Sequence, residues 1–241
     1  MVRAVSLLLY VTRNLMNSRD QLVEILHGLL AVFISLNEKD QLTLELNEEV
    51  LDVVVQCGED MEVKVLLLEG LARQLLAVIG NVNLVDWIRK SWLKTLNILL
   101  SGSGYKLREA LGREFSQDLE QIVDFLYTCG DYDTQSSLVE TLLRFSSKAD
   151  RSQQAPTWFP NYALVQSLFV RIKDFENDCR NFLNCFNKGL GTNQLVHTFP
   201  VLTCHVGDQQ MFKPPDQKYS QFWVDILFHN SIPIADPQFP E

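Results

Sequence analysis

Apolar positions recur at helical spacing from the start of the chain to about Gly189. Leu22, Ile25, Leu26, Leu29, Leu30 and Phe33 form one stripe, and Val50, Leu51, Val54 and Val55 form another. Leu67, Leu68, Leu71, Leu75 and Val78 follow, then Leu93, Leu96, Leu99 and Leu100. Each stripe follows the spacing of a helix packed along one face. Breaks are expected near Asn37–Asp40, Gly58–Asp60, Gly80–Asn83, Ser101–Gly104 and Gly130, because Gly, Asn and Asp favour turns over helix interiors. Ser116 and Asp131 are placed to cap helix starts, where a short oxygen-bearing side chain accepts from the free N–H groups of a first turn.

The helices fall into pairs, over 19–57, 62–100, 105–147 and 160–188, a period of about forty residues found in armadillo-like stacks. No consensus repeat accompanies the period, and an irregular helical bundle shares it. The polar segment Ser146–Thr157, with Pro156 near its end, is expected to be the longest loop of this part. After Gly189-Leu190-Gly191 the pattern changes to period two. Leu195, His197, Phe199 and Val201 alternate with other residues, Leu202, Cys204 and Val206 continue out of phase, and Met211-Phe212 and the run Phe222–Phe228 follow. Such β-branched and aromatic runs bounded by Gly and Pro predict strands. The expected architecture is mainly α: an armadillo-like helical domain over 1–189, then a partial β domain over 190–241. Three or four strands do not close a barrel, so the β part reads as incomplete.

The chain has 241 residues, 46% of them hydrophobic and 21% charged, with 30 acidic against 21 basic side chains and a formal net charge of −9. That apolar fraction excludes a disordered chain. The acidic balance argues against strong direct nucleic-acid binding, which needs a basic face. No stretch reaches the roughly 18 apolar residues of a membrane-spanning helix. Arg13 closes the short apolar run Val5–Val11, so a helix is expected there and not a secretory leader. Five cysteines (Cys57, Cys129, Cys179, Cys185, Cys204) lack any C-x-x-C pair and read as reduced thiols of an intracellular protein.

No catalytic constellation assembles. The histidines His27, His197, His205 and His229 are scattered, and His197, Cys204 and His205 lack the second ligand pair that zinc normally takes. Gly102-Ser103-Gly104-Tyr105-Lys106 lacks phosphate-loop spacing and reads as a helix–helix turn. No enzyme, cofactor or metal site is expected. Two charge features remain. Glu38 to Glu62 holds nine acidic residues against one lysine, Lys39. Within it Glu45, Glu48, Glu49 and Asp52 form either a solvated helix face or a docking surface for a basic partner such as a histone tail. Arg171, Lys173, Arg180 and Lys188 form a modest basic set. Trp158 and Phe159 are candidate partner anchors, although aromatics of this kind more often pack in a core.

An ordered series of short motifs resembles the synaptonemal complex protein 2 family. It comprises Gly130-Asp131-Tyr132-Asp133-Thr134-Gln135, Val139-Glu140-Thr141-Leu142, Trp158-Phe159, the stretch Phe175–Asn184, His197-Thr198-Phe199-Pro200 and Phe222-Trp223-Val224-Asp225. The resemblance implies a structural module of the meiotic chromosome axis, the lateral element of the synaptonemal complex, acting in the nucleus on chromosomes. It implies an armadillo-like domain followed by a pleckstrin-homology-like one, with protein partners at chromosome axes or centromeres. In the family a C-terminal coiled coil pairs with synaptonemal complex protein 3, and this chain is expected to lack it. The chain is expected to start inside the helical domain and to end inside the β domain. A generic armadillo-like adaptor unrelated to meiosis is the alternative.

Overall fold

The computed structural model of the chain describes Glu24, Ile25, Gly28, Ala31, Val32, and residues 44–201, 203–211 and 222–227. Ile25, the described residue of the first stripe, is helical. The break at Asn37–Asp40, Glu38, Asp40, His27 and His229 lie outside the described residues. The described chain is mainly helical with a small strand-containing C-terminal part. From residue 44 onward the described residues form nine α-helices: α1 Leu44–Cys57, α2 Met61–Gly80, α3 Asp86–Leu100, α4 Tyr105–Glu114, α5 Ser116–Thr128, α6 Tyr132–Phe145, α7 Lys148–Trp158, α8 Ala163–Arg171 and α9 Phe175–Gly189. The strands are β1 Val196–Val201, β2 Cys204–Val206, β3 Gln209–Met211 and β4 Phe222–Leu227. The chain divides into two compact units, Met1–Tyr127 with Ser137–Gln153, and Thr128–Ser136 with Gln154–Glu241.

In the first unit α2 contributes Leu67, Leu68, Leu71, Leu75 and Leu76, all fully enclosed. Each such leucine stabilises the fold by about 1.5–3 kcal/mol relative to exposure. Asp60 starts α2 by accepting from the N–H groups of Glu62 (2.9 Å) and Val63 (3.1 Å), which satisfies two orphan donors of the first turn. Several polar groups inside this core are paired. Trp92 Nε1 donates to Asn47 Oδ1 at 2.8 Å, and Thr141 Oγ1 donates to Asn97 Oδ1 at 2.8 Å. The buried Arg89 donates through Nε to the Ile79 carbonyl at 2.8 Å, and its guanidinium lies 3.3 Å from the Phe125 ring centroid. Gly112 lets two backbones approach, because a Cβ there would sit 1.8 Å from the Phe145 carbonyl oxygen.

The expected breaks at Gly58–Asp60, Gly80–Asn83, Ser101–Gly104 and Gly130 all separate helices. Gly102 takes a positive φ of 75° in its turn, a conformation that costs glycine little. Two local expectations need correction. Ser116 is the first residue of α5 and not its cap: the buried Phe115 carries the backbone ladder from α4 into α5, donating to Leu111 O and accepting from Leu119 N. Asp131, by contrast, caps α6 as expected, accepting from Thr134 N at 3.2 Å.

Most of Ser146–Thr157 is helix α7 and not a loop. Ser147 and Asp150 form a reciprocal cap, with Ser147 N donating to Asp150 Oδ2 (3.0 Å) and Asp150 N donating to Ser147 Oγ (3.1 Å). This S-x-x-D arrangement is a helix start even without an apolar stripe. Pro156 falls in the last turn, where its missing N–H removes a single ladder bond, and Phe159 N resumes the pattern by donating to Ala155 O.

The second unit is centred on aromatic rings. Phe159 lies 5.3 Å from both Phe169 and Phe182 and 6.0 Å from Phe186, in edge-on contacts. Helix α9 exposes polar residues on one side and buries Cys179, Phe182, Leu183 and Phe186 on the other. Strand β1 pairs antiparallel with β4, from Val196 opposite Leu227 to Val201 opposite Phe222. Strands β2 and β3 form a separate antiparallel hairpin, turned at Gly207 with φ 58°. Leu202 to Val206 and Met211 were expected in strands, and the described residues of that set within 204–211 are.

Candidate interaction surfaces

Helix α1 places Glu45, Glu48, Glu49 and Asp52 on its exposed side, while Leu46, Val50, Leu51, Val53 and Val54 turn inward. The spacing of three and four residues aligns Glu45, Glu48, Glu49 and Asp52 along one helical stripe. Glu48 and Asp52 also form the rim of a groove of ≈ 390 Å³ in the first unit. Leu51, Val55 and Ile98 contribute apolar surface to it, and Lys94, Ser91 and Thr95 complete the α3 side. Ile98 is 40% exposed. The groove thus combines an apolar strip with two carboxylates and one ammonium group.

Trp158 and Phe159 are placed differently. Trp158 is the last residue of α7, 4% exposed, and Phe159 follows it, fully buried. Trp158 packs 5.7 Å from Phe169, and Phe159 lies at the centre of the ring cluster. In this unit both side chains contribute packing, which is the outcome aromatic area favours in a core.

Apart from Val139–Leu142, which belongs to the first unit, the resembling motifs lie in the second unit. From α9, Arg180 Nη1 donates to Asp225 Oδ1 (2.8 Å) and Oδ2 (3.0 Å) on β4. Thr198 Oγ1 on β1 donates to the same Oδ1 at 2.8 Å. This follows from register, because Thr198 and Asp225 are directly opposed and share one face of the ribbon. The Arg180 guanidinium lies 3.5 Å from the Tyr132 ring centroid and 5.9 Å from that of Trp223. Burial pushes the Tyr132 phenol well up from its ordinary value, against the opposing effect of Arg180. Beside this cluster Gln135 and Asn187 form a reciprocal amide pair, 2.9 and 2.8 Å, and Gln135 Nε2 also donates to Cys129 O. Sequence reasoning treated Arg180 as one of a diffuse basic set and did not single out Asp225. A carboxylate inside an aromatic strand was the available signal, since such a group needs a partner when half buried.

The remaining candidates are dispersed. Arg171, Lys173 and Lys188 are exposed. His197 lies on β1, whereas Cys204 and His205 lie on the separate β2–β3 hairpin. All five cysteines are free thiols. Cys57, Cys129 and Cys179 are buried, Cys185 and Cys204 half-buried. Burial pushes the Cys185 thiol up despite nearby Lys188, away from the thiolate form that reacts. No described helix is long and apolar enough to cross a membrane.

No protein-family model matches the chain. Synaptonemal complex protein 2-like of Mus musculus is 31% identical over 207 residues, 84% of this chain and 24% of that relative. Synaptonemal complex protein 2 of Homo sapiens is 30% identical over 198 residues, 79% of this chain and 13% of the relative. A solved structure described as a synaptonemal complex protein superposes with a TM-score of 0.71 at 27% identity, covering 86% of this chain and 54% of that one. The chain therefore spans a quarter or less of the length of these curated relatives. Identity, coverage and shared fold agree, and the chain belongs to the synaptonemal complex protein 2 family.

Proposed function

We propose that the chain is a non-enzymatic interaction module of a meiotic chromosome axis protein, working in the lateral element of the synaptonemal complex in the nucleus. Its helices read as an armadillo-like stack over 1–189, and the strands from 190 onward as the start of a pleckstrin-homology-like domain. Its partners are proteins of chromosome axes or centromeres, and its attachment to chromosomes runs through them and not through bare DNA, given the net charge of −9.

The observation that carries the reading is the α1–α3 groove, where Glu48 and Asp52 flank exposed apolar surface. Charges at a rim steer and orient a partner, while the apolar strip supplies most of the affinity. The partner segment is rich in Lys and Arg with one aliphatic anchor, and Glu45 and Glu49 extend its track. Trp158 and Phe159 support the module from its core. Family membership favours this reading over a generic adaptor.

The test uses calorimetric titration with a synthetic Lys/Arg-rich peptide carrying one leucine, at low and physiological salt. Binding should weaken by about tenfold or more in Glu48→Lys/Asp52→Lys, and the wild-type affinity should fall with added salt. Equal binding by wild type and variant would overturn the groove assignment.

A further inference from the structure

The groove between α1 and α3 has two walls of opposite charge. On α1 its lining residues are Glu48, Leu51, Asp52 and Val55, and on α3 they are Ser91, Lys94, Thr95 and Ile98. Both sets have the spacing i, i+3, i+4, i+7, which is one face of a helix over two turns. The two helices run side by side in the same direction. Near their starts Trp92 Nε1 donates to Asn47 Oδ1, and just past the end of α1 a Cβ on Gly58 would sit 2.6 Å from Leu99 Cδ2. Two aligned faces of this kind form a trough in which a third helix packs, its apolar ridge between theirs. An extended segment would gain no ladder there, because the backbone groups of a helix interior are already bonded to one another.

Charge then says what that helix carries on each side. Glu48 and Asp52 are exposed on the α1 wall and Lys94 is exposed on the α3 wall. Among the described residues no ion pair links Lys94 to either carboxylate, so the two signs stand apart and each is open to a partner. Along the common direction of the helices the charged residues come first, and Val55 and Ile98 close the groove with apolar surface. Resting on the groove assignment made above, we infer that the occupant is an amphipathic helix of a partner protein. It carries Lys or Arg on the flank that meets α1, Asp or Glu on the flank that meets Lys94, and an aliphatic seam between them. Reversing the helix in the groove would exchange its flanks and set like charges together on both walls, which is a penalty against the wrong orientation. Carboxylates alone would accept a basic helix in either direction. Lys94 is therefore the specificity-determining residue, and it gives the groove its polarity.

The experiment titrates the whole chain with three synthetic helical peptides that share one leucine seam. The first has a basic and an acidic flank, the second has two basic flanks, and the third is the first with proline at its centre. Physiological salt is used, where a Debye length of about 8 Å lets contacts inside the groove outweigh the net charge of −9. The two-signed peptide should bind about fivefold or more tighter than the all-basic one, and Lys94→Glu, with unchanged circular dichroism, should invert that ranking. The central proline should weaken binding by about tenfold or more. An all-basic peptide that binds wild type as well as the two-signed one, a ranking that ignores Lys94→Glu, or a proline peptide of equal affinity would overturn the inference. If Glu48→Lys/Asp52→Lys still weakens the all-basic peptide in those cases, the groove assignment survives and only the two-signed helix is refuted. If that double variant changes the affinity of no peptide, or no peptide binds, both fall together. Concentration-dependent self-association abolished by Lys94→Glu would also overturn the inference, because a second copy would then occupy the groove.

Discussion

The Arg180–Asp225 contact should hold α9 to the β1–β4 ribbon, and a double-mutant cycle measures how strongly. Each side chain is 21% exposed, so the pair lies between the surface and interior regimes. At an effective dielectric of about 20 the attraction of two charges near 4 Å is about 4 kcal/mol. Partial desolvation of both groups opposes it, leaving a net coupling of about 2 kcal/mol. Removing either partner strands the other, so the two single costs overlap. Asp225→Ala deprives Arg180 of its carboxylate and Thr198 Oγ1 of an acceptor, and should cost about 3 kcal/mol. Arg180→Ala should cost a similar amount, with part of the loss coming from the Tyr132 stacking. The double variant should lose about 4 kcal/mol, less than the two singles together. Urea unfolding gives the global values, and native-state hydrogen exchange at the β1 and β4 amides localises the effect to this unit. A coupling below about 0.5 kcal/mol would refute the clamp, because exposed pairs already reach that value.

Other contacts yield sharper single tests. Gly112→Ala should destabilise by about 3 kcal/mol or more, since its Cβ would meet the backbone oxygen of Phe145 and not a movable side chain. A thermal midpoint within two degrees or so of wild type would show that the helices separate easily. Tyr132→Phe should be nearly neutral because the ring is what Arg180 meets, whereas Tyr132→Leu should lose about 0.5–1 kcal/mol in the same urea assay. The hydrogen bond from the Ser147 side chain holds the Asp150 carboxyl below its ordinary value of 3.8. A depressed folded-state pKa means the stabilisation is complete above the unfolded value and fades as pH falls through the folded one. Asp150→Asn should therefore cost about 1 kcal/mol at neutral pH, and the gap should close in acid below pH 3.8. A pH-independent gap would place the effect elsewhere.

Helix positions were legible wherever a stripe of leucines or valines met a Gly, Asn or Asp break, as at Gly58–Asp60 and Ser101–Gly104. Helix α7 was not, because its polar composition leaves only Ala155 and Trp158 buried and its identity rests on the Ser147–Asp150 cap. The α4–α5 junction hid a different feature: a large apolar Phe115 continues the ladder where Ser116 invited a cap. Strands β1 and β4 were visible as period-two aromatic runs, but their pairing with each other across the β2–β3 hairpin was not, since register is a tertiary property. The acidic stripe of α1 was readable as Glu45, Glu48, Glu49 and Asp52. Its neighbour across the groove, Ile98 on α3, lies more than forty residues away, and periodicity along a single helix does not reveal such a contact. The motif series was recognisable as a pattern before the roles of Tyr132, Arg180, Thr198 and Asp225 were known. Packing explains their co-occurrence, because all four meet in one half-buried cluster.

The proposed role as a chromosome-axis module is tested most directly by immunolocalisation of the protein, in its full natural length, on spread meiotic nuclei. The account predicts signal along chromosome axes or at centromeres, reduced when Glu48 and Asp52 are both replaced by lysine. Strong expression with no signal at either place would contradict it.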